Sequence, residues 1–296
     1  MPRVACFGYI NPGVVLIVDQ YPAANSGAYF STRRPFIGAD CAMVALMLAR
    51  WGYEAHLIAN DLGDDAPGRE TLQQLRDAGV TPHLRLRSDL RTPQEVDIAD
   101  RAGTRTFFVE HNPAVWSSLL DADLSAIDAA DMLYLDWYVG EAARRAARRA
   151  REAGVPVFLN VEYSLRDPLQ HAELIQLATF AQVPMSDVHY PPEDPNALAE
   201  AVLALGPQAV FVTRGKHGSL VAQAGALCSL AAPPVNVRDT QGAGAVYSAA
   251  AVAALLQGKS PEAAGRMATH LASLKCAQHE LPLEPLESLL ARADVR

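Results

Sequence analysis

The sequence predicts an α/β fold in which helices cover both faces of a mostly parallel central sheet, with a small β sheet beside it. Short apolar segments alternate with amphipathic helical segments through most of the 296 residues, and this β-α-β-α order is typical of a parallel sheet. Two stretches, approximately 14–36 and 92–110, interrupt the alternation. The sequence contains no repeat, low-complexity tract or linker, which indicates one domain over residues 1–296.

The alternation begins at the N-terminus, where a short apolar run precedes a segment of helical period. Gly79 follows the second amphipathic segment, at the position where glycine commonly ends a helix. The predicted elements of this half are a strand at 4–7, a helix at 41–50, a strand at 54–58 and a helix at 69–78.

The C-terminal half continues the same order. Its first helix is rich in alanine and arginine, ends before Gly154 and is typical of a solvated face with local charge pairs. The predicted elements are a strand at 132–135, a helix at 141–153, a strand at 155–159, a helix at 196–205, a strand at 209–212 and helices at 243–256 and 261–277.

The two interruptions predict the small sheet. Residues 21–36 are polar and lack a helical period, and the segments 94–98 and 104–109 alternate around a turn at Gly103. We therefore expect antiparallel strands inserted beside the main sheet. A small sheet of this kind commonly forms a lid over a ligand site, and surface hairpins without a role would give the same pattern.

Composition limits the classes of partner. The net charge of −8 argues against nucleic acid or an anionic membrane, since both need a basic surface. The N-terminus lacks the layout of a signal peptide, and no apolar run approaches the ~20 residues that span a bilayer, so we expect a cytoplasmic protein. The four cysteines are far apart in sequence, which favours buried small side chains over disulfides or a metal site.

The sharpest functional signal is a glycine turn in front of an apolar helix. The segment 238–245 brings Gly242, Ala243 and Gly244 directly before the apolar run 246–256. Small residues let the backbone approach a ligand, and the free N–H groups and positive dipole end of the helix then face that ligand. This arrangement predicts an anion hole for a phosphoryl group. Taken alone, the pattern fits a tight strand-to-helix turn equally well.

A second glycine loop lies upstream. Residues 210–221 predict a strand, a turn that contains Gly215 and Gly218, and a second strand. A loop after a parallel strand is where α/β folds bind ligands. A plain hairpin would have the same pattern.

Several motifs along the chain carry a resemblance to one family. They lie, in chain order, at 8–11, 38–45, 63–68, 212–215 and 239–244. Their residues and order resemble those of the ribokinase-like carbohydrate kinases, the PfkB family. The resemblance implies a ribokinase-like three-layer sandwich with a small β lid. It also implies transfer of the γ-phosphoryl group of ATP, with Mg²⁺, to a hydroxyl of a sugar or nucleoside.

The resemblance implies roles for individual residues. The nucleotide is expected at Thr213, Gly215, Gly218, Asp239 and Thr240. The expected anion hole consists of Gly242, Ala243 and Gly244. The small-molecule substrate is expected at Asn11, Gly38, Ala39, Asp40, Met43 and Asn160. Some family members dimerise through the lid, so the resemblance permits a homodimer through 14–36 and 92–110.

The chain departs from the family pattern at functional positions. The aspartate that serves as general base in the family is replaced by Ala245, and the sugar-binding aspartate of the opening strand is replaced by Gly13. In the N-terminal signature, Ala39 replaces the second glycine and Met43 replaces an asparagine. A methyl group cannot accept a proton, so the resemblance implies a chain without its usual base.

Two further positions depart from the pattern. The Asn-x-x-Glu magnesium motif aligns with 186–189, which reads Ser-Asp-Val-His, and the arginine position after a central strand is Glu162. Departures spread over the whole site favour natural divergence over one engineered change. Gly13 and Met43 make the expected pocket less polar and Glu162 makes it more acidic, which favours a less polar or cationic substrate over a neutral sugar.

Three functions fit these residues. The first is a divergent small-molecule kinase, since a general base contributes only about 10²–10⁴-fold and phosphoryl transfer depends mainly on positioning and charge stabilisation. Asp40 or Glu162 would then be an alternative base, although the sequence places neither at reacting distance. The second is a pseudokinase that binds a nucleotide or metabolite without turnover. The third is a fold reused for protein assembly.

Overall fold

A computed structural model describes residues 1–100, 105–136, 140–161, 171–185 and 194–293 of the chain. Within these residues a nine-stranded main sheet carries helices on both faces, and a four-stranded small sheet accompanies it. A two-stranded ribbon completes the described β structure. The predicted α/β architecture with a mostly parallel sheet is confirmed.

Fifteen strands lie in the described residues. They are β1 (Arg3–Gly8), β2 (Asn11–Val18), β3 (Phe30–Gly38), β4 (Glu54–Ala59), β5 (Leu62–Gly63), β6 (Thr81–His83), β7 (Leu86–Arg87), β8 (Glu95–Ala99), β9 (Arg105–Val109), β10 (Met132–Asp136), β11 (Val157–Asn160), β12 (Phe180–Pro184), β13 (Ala209–Thr213), β14 (Ser219–Gln223) and β15 (Ala226–Leu230). The main sheet has the order β15-β14-β13-β12-β11-β10-β1-β4-β6, the small sheet has the order β3-β2-β8-β9, and β5 pairs with β7.

Nine α-helices occur in the same described part of the chain. They are α1 (Asp40–Arg50), α2 (Ala66–Asp77), α3 (Pro113–Ser118), α4 (Gly140–Glu152), α5 (Ala172–Leu177), α6 (Pro195–Leu203), α7 (Ala243–Leu256), α8 (Pro261–Cys276) and α9 (Leu286–Arg292). Buried residues of α1, α7 and α8 belong to one apolar core, and those of α4, α5 and α6 belong to a second. The bounds of α7 match the prediction, and the other predicted helices differ by a few residues at their ends.

Parallel pairing determines where a ligand site can form. The strands from β13 to β6 in sheet order run parallel, and β14 and β15 add antiparallel strands at one edge. β10 and β11 consist of buried residues throughout, as expected where helices cover both faces of a parallel sheet. The carboxyl ends of the parallel strands therefore meet at one edge of the main sheet.

The small sheet differs from its predicted pairing. β2 with β3 and β8 with β9 form the expected antiparallel pairs, but β2 and β8 pair in parallel. Local alternation cannot reveal a pair whose members lie far apart in sequence, because its direction depends on the tertiary path. The strands also exceed the predicted limits, since β2 begins at Asn11 and β3 ends at Gly38.

The beginning of α2 shows a capping signal that the prediction missed. The helix starts at Ala66 because the Asp65 carboxylate accepts a 2.9 Å hydrogen bond from the Gly68 N–H. An aspartate followed by a first turn that contains proline is a recognised start signal. The predicted start at 69 was therefore too late.

The structure also tests the expected burial of the cysteines and the expected absence of a membrane-spanning helix. All four cysteines are free thiols. Cys6 and Cys41 are buried as predicted, whereas Cys228 and Cys276 are partly exposed. Among the helices that the structure describes, none combines the length and apolar character needed to cross a bilayer.

Candidate functional site

Three buried polar side chains lie side by side at the carboxyl edge of the main sheet. Asp136, Asn160 and Gln182 occupy neighbouring register positions on β10, β11 and β12, and each is at most 1% exposed. Two helix N-termini contact this row. The Cys41 N–H donates to Asp136 Oδ2 at 2.9 Å, and Gln182 Nε2 donates to the Gly244 carbonyl at 3.4 Å. The row therefore joins the starts of α1 and α7.

Helix α1 begins from a strained backbone conformation. Its N-cap residue, Ala39, has a φ of 67° and a ψ of 147°, a region that glycine tolerates and alanine rarely adopts. Asp40 follows as the first residue of the helix, and its Oδ2 accepts a 3.1 Å hydrogen bond from Asn160 Nδ2. The strained turn thus directs the Asp40 carboxylate to the carboxyl edge of the sheet.

Helix α7 begins at the predicted glycine turn. Gly242 is its N-cap with a φ of 74°, and no described side chain caps the helix. A Cβ built on Gly242 would lie 3.1 Å from both Met43 Sδ and Leu281 Cδ2, so the backbone of the turn packs closely on its neighbours. The free N–H groups and the positive dipole end of a 14-residue helix are suited to bind an anion.

A cavity of about 400 Å³ lies beside the starts of α1 and α7. Its size suits a small molecule. The predicted site residues in its wall are Asn11, Ala39, Asp40, Met43, Thr240, Gly242 and Gly244. The wall residues that the sequence did not predict are Tyr9, Phe36, Glu95, Arg105, Phe107, Val109, Trp116 and Gln241.

The other two predicted substrate residues contact this wall. A Cβ built on Gly38 would lie 2.8 Å from Glu95 Oε2 and 2.9 Å from Asn11 Oδ1, so a side chain at position 38 would displace both groups. Asn160 reaches the wall through its hydrogen bond to Asp40. The structure therefore brings the six predicted substrate residues into one region.

Part of the cavity wall is apolar. A Cβ built on Gly13 would lie only 2.6 Å from Phe36 Cζ, so the Phe36 ring fills the space that a larger residue at position 13 would need. Tyr9 and Trp116 stack with their ring centroids 4.5 Å apart, and Met43 adds a thioether. These groups suit a flat or apolar part of a ligand.

Asp136 is a buried acid beneath the start of α1. Burial and the neighbouring charge of Asp40 raise the pKa of Asp136 to about 8. The Tyr134 hydroxyl donates to its Oδ1 at 2.7 Å, while the Cys41 N–H donates to its Oδ2. Two adjacent carboxylates rarely both ionise in a dry environment, so the pair of Asp136 and Asp40 holds a proton to higher pH than an isolated carboxylate would.

Strand β8 contributes two acidic side chains. Glu95 Oε2 accepts a 2.9 Å hydrogen bond from Asn11 Nδ2. Asp97 is fully buried, and its Oδ2 accepts from Gln241 Nε2 at 2.7 Å and from Arg105 Nη1 at 3.3 Å. Burial, followed by the hydrogen bond with Glu95, raises the pKa of Asp97 to about 7. The small sheet is therefore bonded directly to the glycine turn.

Asp239, predicted at the nucleotide site, holds the glycine turn in place. Its Oδ1 accepts a 2.9 Å hydrogen bond from the Gln241 N–H, and its Oδ2 lies 2.6 Å from Arg34 Nη2 and 3.7 Å from Lys275 Nζ. Burial alone would raise the pKa of Asp239, but the Gln241 N–H and the charges of Lys275 and Arg34 hold that pKa below its usual value. Arg34 lies on β3, so this ion pair also links the small sheet to the turn.

The predicted nucleotide loop lies outside the wall of this cavity. Thr213 ends β13, and Gly215 and Gly218 have φ values of 52° and 81°. A Cβ built on Gly218 would lie 2.0 Å from a backbone carbonyl of β15, so the loop requires glycine there. The next residue, Ser219, accepts a 3.1 Å hydrogen bond from the Tyr247 hydroxyl of α7. The loop is thus connected to the helix whose N-terminus forms the glycine turn.

Residues 186–189, where Ser-Asp-Val-His replaces the family's magnesium motif, and the acidic position Glu162 lie outside the described residues. Within the part of the chain that the structure describes, no group of three or more His, Cys, Asp or Glu residues could hold a metal ion. The replacement of the family's magnesium motif at 186–189 stays a prediction.

Sequence reasoning missed the aromatic and small-sheet residues of the wall. One signal was available, because Glu95 and Asp97 flank Val96 and therefore share a face of β8. Two acids on one face of an otherwise apolar strand indicate a polar interior contact. Tyr9 and Trp116, by contrast, are far apart in sequence and meet only in the folded chain.

Comparison with known sequences identifies a family. The profile of the pfkB family carbohydrate kinases matches residues 1–286. A protein named ribokinase from Arabidopsis thaliana is 26% identical over 292 residues, and the match covers 94% of this chain and 76% of that protein. The match to the family thus extends over almost the whole chain.

Comparison with solved structures gives the same fold. Ribokinase from Thermotoga maritima has a TM-score of 0.80 at 21% identity, with 98% of this chain and 100% of that chain covered. Arabidopsis thaliana ribokinase complexed with ribose and ATP has a TM-score of 0.80 at 21% identity, with 100% and 99% covered. At such identities the likeness establishes the ribokinase-like fold and nothing finer.

Proposed function

The chain belongs to the pfkB family of carbohydrate kinases, and we propose that it is an ATP-dependent phosphotransferase that acts on a hydroxyl of a small molecule. One observation carries the proposal: the glycine turn of α7 forms part of the wall of a cavity of about 400 Å³, and the Asp40 carboxylate lines the same cavity. A turn of this kind can stabilise phosphoryl oxygens while the cavity holds the acceptor molecule.

The donor in this proposal is ATP. A related ribokinase is described in complex with ribose and ATP, and the uncapped N-terminus of α7 fits a phosphate group. ATP, with Mg²⁺, would supply the γ-phosphoryl group. The backbone N–H groups of Gly242 and Gly244 would hold its oxygens, since the Ala243 N–H donates to the Thr240 carbonyl at 3.2 Å. The rest of the nucleotide would contact Thr213, Gly215, Gly218, Asp239 and Thr240.

The acceptor in this proposal is less polar than a simple sugar, or cationic. Phe36 fills the space beside Gly13, and Met43 lies against Gly242 of the glycine turn. Both side chains line the cavity and make this part of its wall apolar. Asp40 and Glu95 add two carboxylates to the wall, against one guanidinium from Arg105. A molecule that combines a hydroxyl, an apolar part and a positive group would satisfy this lining.

In this proposal the small sheet acts as a lid over the cavity. Residues 1–296 then form a single domain that includes this lid. Glu95 and Arg105 of the small sheet line the cavity. The Arg34–Asp239 ion pair links the small sheet to the segment before the glycine turn. The outer strands β3 and β9 also expose aromatic side chains, which suit contact with a second copy of the chain.

A second candidate function is that of a pseudokinase. The observation that favours it is the environment of Ala245, the position of the family's base by resemblance. Its side chain is fully buried in the apolar core and offers no proton acceptor. A chain of this kind would bind a nucleotide or metabolite and produce no phosphorylated compound.

Titration calorimetry with ATP and Mg²⁺ tests the proposed binding site. We expect binding by the wild-type protein and roughly tenfold weaker binding by Gly242→Ala, since an added Cβ strains and displaces the turn. Gly258→Ala is the matched control, because Gly258 has a φ of 75° and open space around it. Absence of heat with millimolar ATP, ADP and phosphate would exclude both the kinase and the nucleotide-binding pseudokinase.

A further inference from the structure

Asp40 lies where the first helix meets the glycine turn. It is the first residue of α1 and lines the cavity. A Cβ built on Gly244 would lie 3.7 Å from Asp40 Oδ2, so this carboxylate stands directly beside the turn. Gly242 and Gly244 line the same cavity. A ligand hydroxyl in the cavity therefore has a carboxylate and the helix N-terminus within one small space.

We propose that Asp40 is the catalytic carboxylate that accepts the proton of the substrate hydroxyl. This inference rests on the proposed phosphotransferase function and assigns its missing proton acceptor to a different element of the fold. The family's usual position, on α7, carries the buried Ala245 in this chain. Asp40 approaches the same turn from α1 and lies beside Gly244.

A buried amide, itself bonded to a buried tyrosine, orients Asp40 for this role. Asn160, which is 1% exposed, donates from its Nδ2 to Asp40 Oδ2 at 3.1 Å and lies 3.3 Å from the Tyr134 hydroxyl. Tyr134 in turn donates to Asp136. Because Asn160 already holds the Asp40 carboxylate in place, little conformational entropy is lost when that carboxylate meets the substrate hydroxyl. Burial, followed by the charge of Asp40, raises the pKa of Asp136 and so favours its uncharged form beneath Asp40.

Among the described residues, the carboxylate oxygen within 4 Å of a Cβ built on Gly244 belongs to Asp40, and the other acids near the cavity have different neighbours. Glu95 Oε2 accepts from Asn11 on the small-sheet side of the wall. Asp97 is fully buried between Gln241 and Arg105. Asp239 is paired with Arg34 and Lys275. Among these described acids, Asp40 is the one that both lines the cavity and lies beside Gly244.

The proposed reaction transfers one phosphoryl group and one proton. The oxygen of the substrate hydroxyl forms a bond to the γ-phosphorus of ATP, and the hydroxyl proton passes to the Asp40 carboxylate. The bond between the γ-phosphorus and the bridging oxygen breaks, and its electron pair leaves on ADP. Asp40 then returns the proton to water. The backbone N–H groups of the glycine turn hold the transferring oxygens throughout.

Substitution of Asp40 tests the assignment. Asp40→Asn keeps an oxygen that can accept from Asn160 and removes the proton acceptor. Because a base acts in the transition state, we expect kcat for ADP formation to fall by about 10²–10⁴-fold while the KM for ATP changes by less than about threefold. The acceptor is a pool of sugars, nucleosides and amino alcohols, with ATP and Mg²⁺.

Three further proteins complete the experiment. Asp77→Asn makes the same chemical change at an exposed position of α2 and should retain wild-type kcat. Asp40→Glu keeps a carboxylate and should retain more activity than Asp40→Asn. Thermal unfolding of each protein separates a loss of fold from a loss of catalysis, and the comparison of Asp40→Glu with Asp40→Asn remains informative if both lose stability equally.

The outcomes distinguish two failures. Equal kcat for the wild type, Asp40→Asn and Asp77→Asn would overturn the assignment of Asp40 and leave the phosphotransferase proposal intact. No ADP formation by the wild-type protein with any pooled acceptor would contradict the phosphotransferase proposal and the assignment together. A selective fall in kcat for Asp40→Asn, with partial activity in Asp40→Glu, is the result that the structure predicts.

Discussion

Ala39 combines an alanine side chain with a backbone conformation that suits glycine. Its φ of 67° and ψ of 147° initiate α1 and direct Asp40 to the site. Backbone strain of this kind commonly costs about 1–3 kcal/mol and persists where the surrounding structure imposes it. The resemblance to the family, which has glycine at this position, could be recognised in the sequence. The strain itself could not, because φ is set by the path between β3 and α1.

We expect Ala39→Gly to stabilise the fold. Relief of strain should outweigh the greater entropy of glycine in the unfolded chain, with a net gain of about 1 kcal/mol in the free energy of unfolding. Urea denaturation measures this change. Ala49→Gly, in the helical part of α1, should instead lower the free energy of unfolding by about 1 kcal/mol. A lower stability of Ala39→Gly would show that the turn is not strained.

The raised pKa of Asp136 should make the free energy of unfolding depend on pH. Its pKa is raised from 3.8 in the unfolded reference to about 8 in the folded protein. Between these values the folded protein binds a proton that the unfolded chain has lost, so the free energy of unfolding decreases as pH rises. Asp136→Asn cannot ionise, and its carboxamide can still accept from the Cys41 N–H.

The melting temperature of Asp136→Asn should therefore change less than that of the wild type between about pH 5 and about pH 9. The variant should be the more stable protein at the alkaline end. Asp77→Asn, an exposed change, should follow the wild-type profile. Identical profiles for Asp136→Asn and the wild type would mean that Asp136 is ionised in the folded state at neutral pH.

At the scale of secondary structure, the glycine turn depends on the small sheet. Arg34 of β3 lies 2.6 Å from Asp239, whose other oxygen accepts from the Gln241 N–H. Asp97 of β8 accepts from the Gln241 side chain. The turn could be predicted from its glycines because they are local in sequence. Its connections could not, since Arg34 and Asp239 are separated by 205 positions.

We expect Arg34→Gln to loosen the turn. Loss of the ion pair leaves Asp239 with fewer partners in a mostly buried place, which should lower the free energy of unfolding by about 1–3 kcal/mol. The affinity for ATP should fall as well, because the turn is no longer held by β3. Denaturation and calorimetry measure the two effects. Arg33→Gln, the exposed neighbour on β3, is the control, and equal behaviour of the two variants would exclude the link.

The small sheet also shows the limit of reasoning from local patterns. The alternation at 94–98 and 104–109 predicted β8 and β9 within a residue. The parallel pair of β2 and β8 did not follow from either segment. Likewise the contact of Phe36 with Gly13 arises from the pairing of β2 with β3, so the loss of polarity at position 13 was predictable whereas the side chain that fills the space was not.

At the scale of the whole molecule, exposed aromatic groups on the small sheet indicate association. Phe30 on β3 is 54% exposed, and Phe108 on β9 is 56% exposed. These two strands form the edges of the small sheet, and edge strands can pair with a second copy. We propose a homodimer through this surface.

Light scattering should therefore give twice the mass of the chain. Phe108→Lys should give a monomer, because a charge at the centre of an apolar contact opposes association. Leu120→Lys, which changes another exposed apolar residue outside the small sheet, should remain dimeric. A monomer mass for the wild-type protein at micromolar concentration would remove the proposed dimer.

The most direct test of the proposed function is a search for the phosphorylated product. The wild-type protein would be incubated with ATP, Mg²⁺ and a pool of sugars, nucleosides and amino alcohols, and the mixture analysed by mass spectrometry. We expect one or more acceptors to gain a single phosphoryl group, with an equal amount of ADP formed and with preference for less polar or cationic acceptors. Binding of ATP without any phosphorylated acceptor in the pool would rule out the proposed phosphotransferase and favour the pseudokinase.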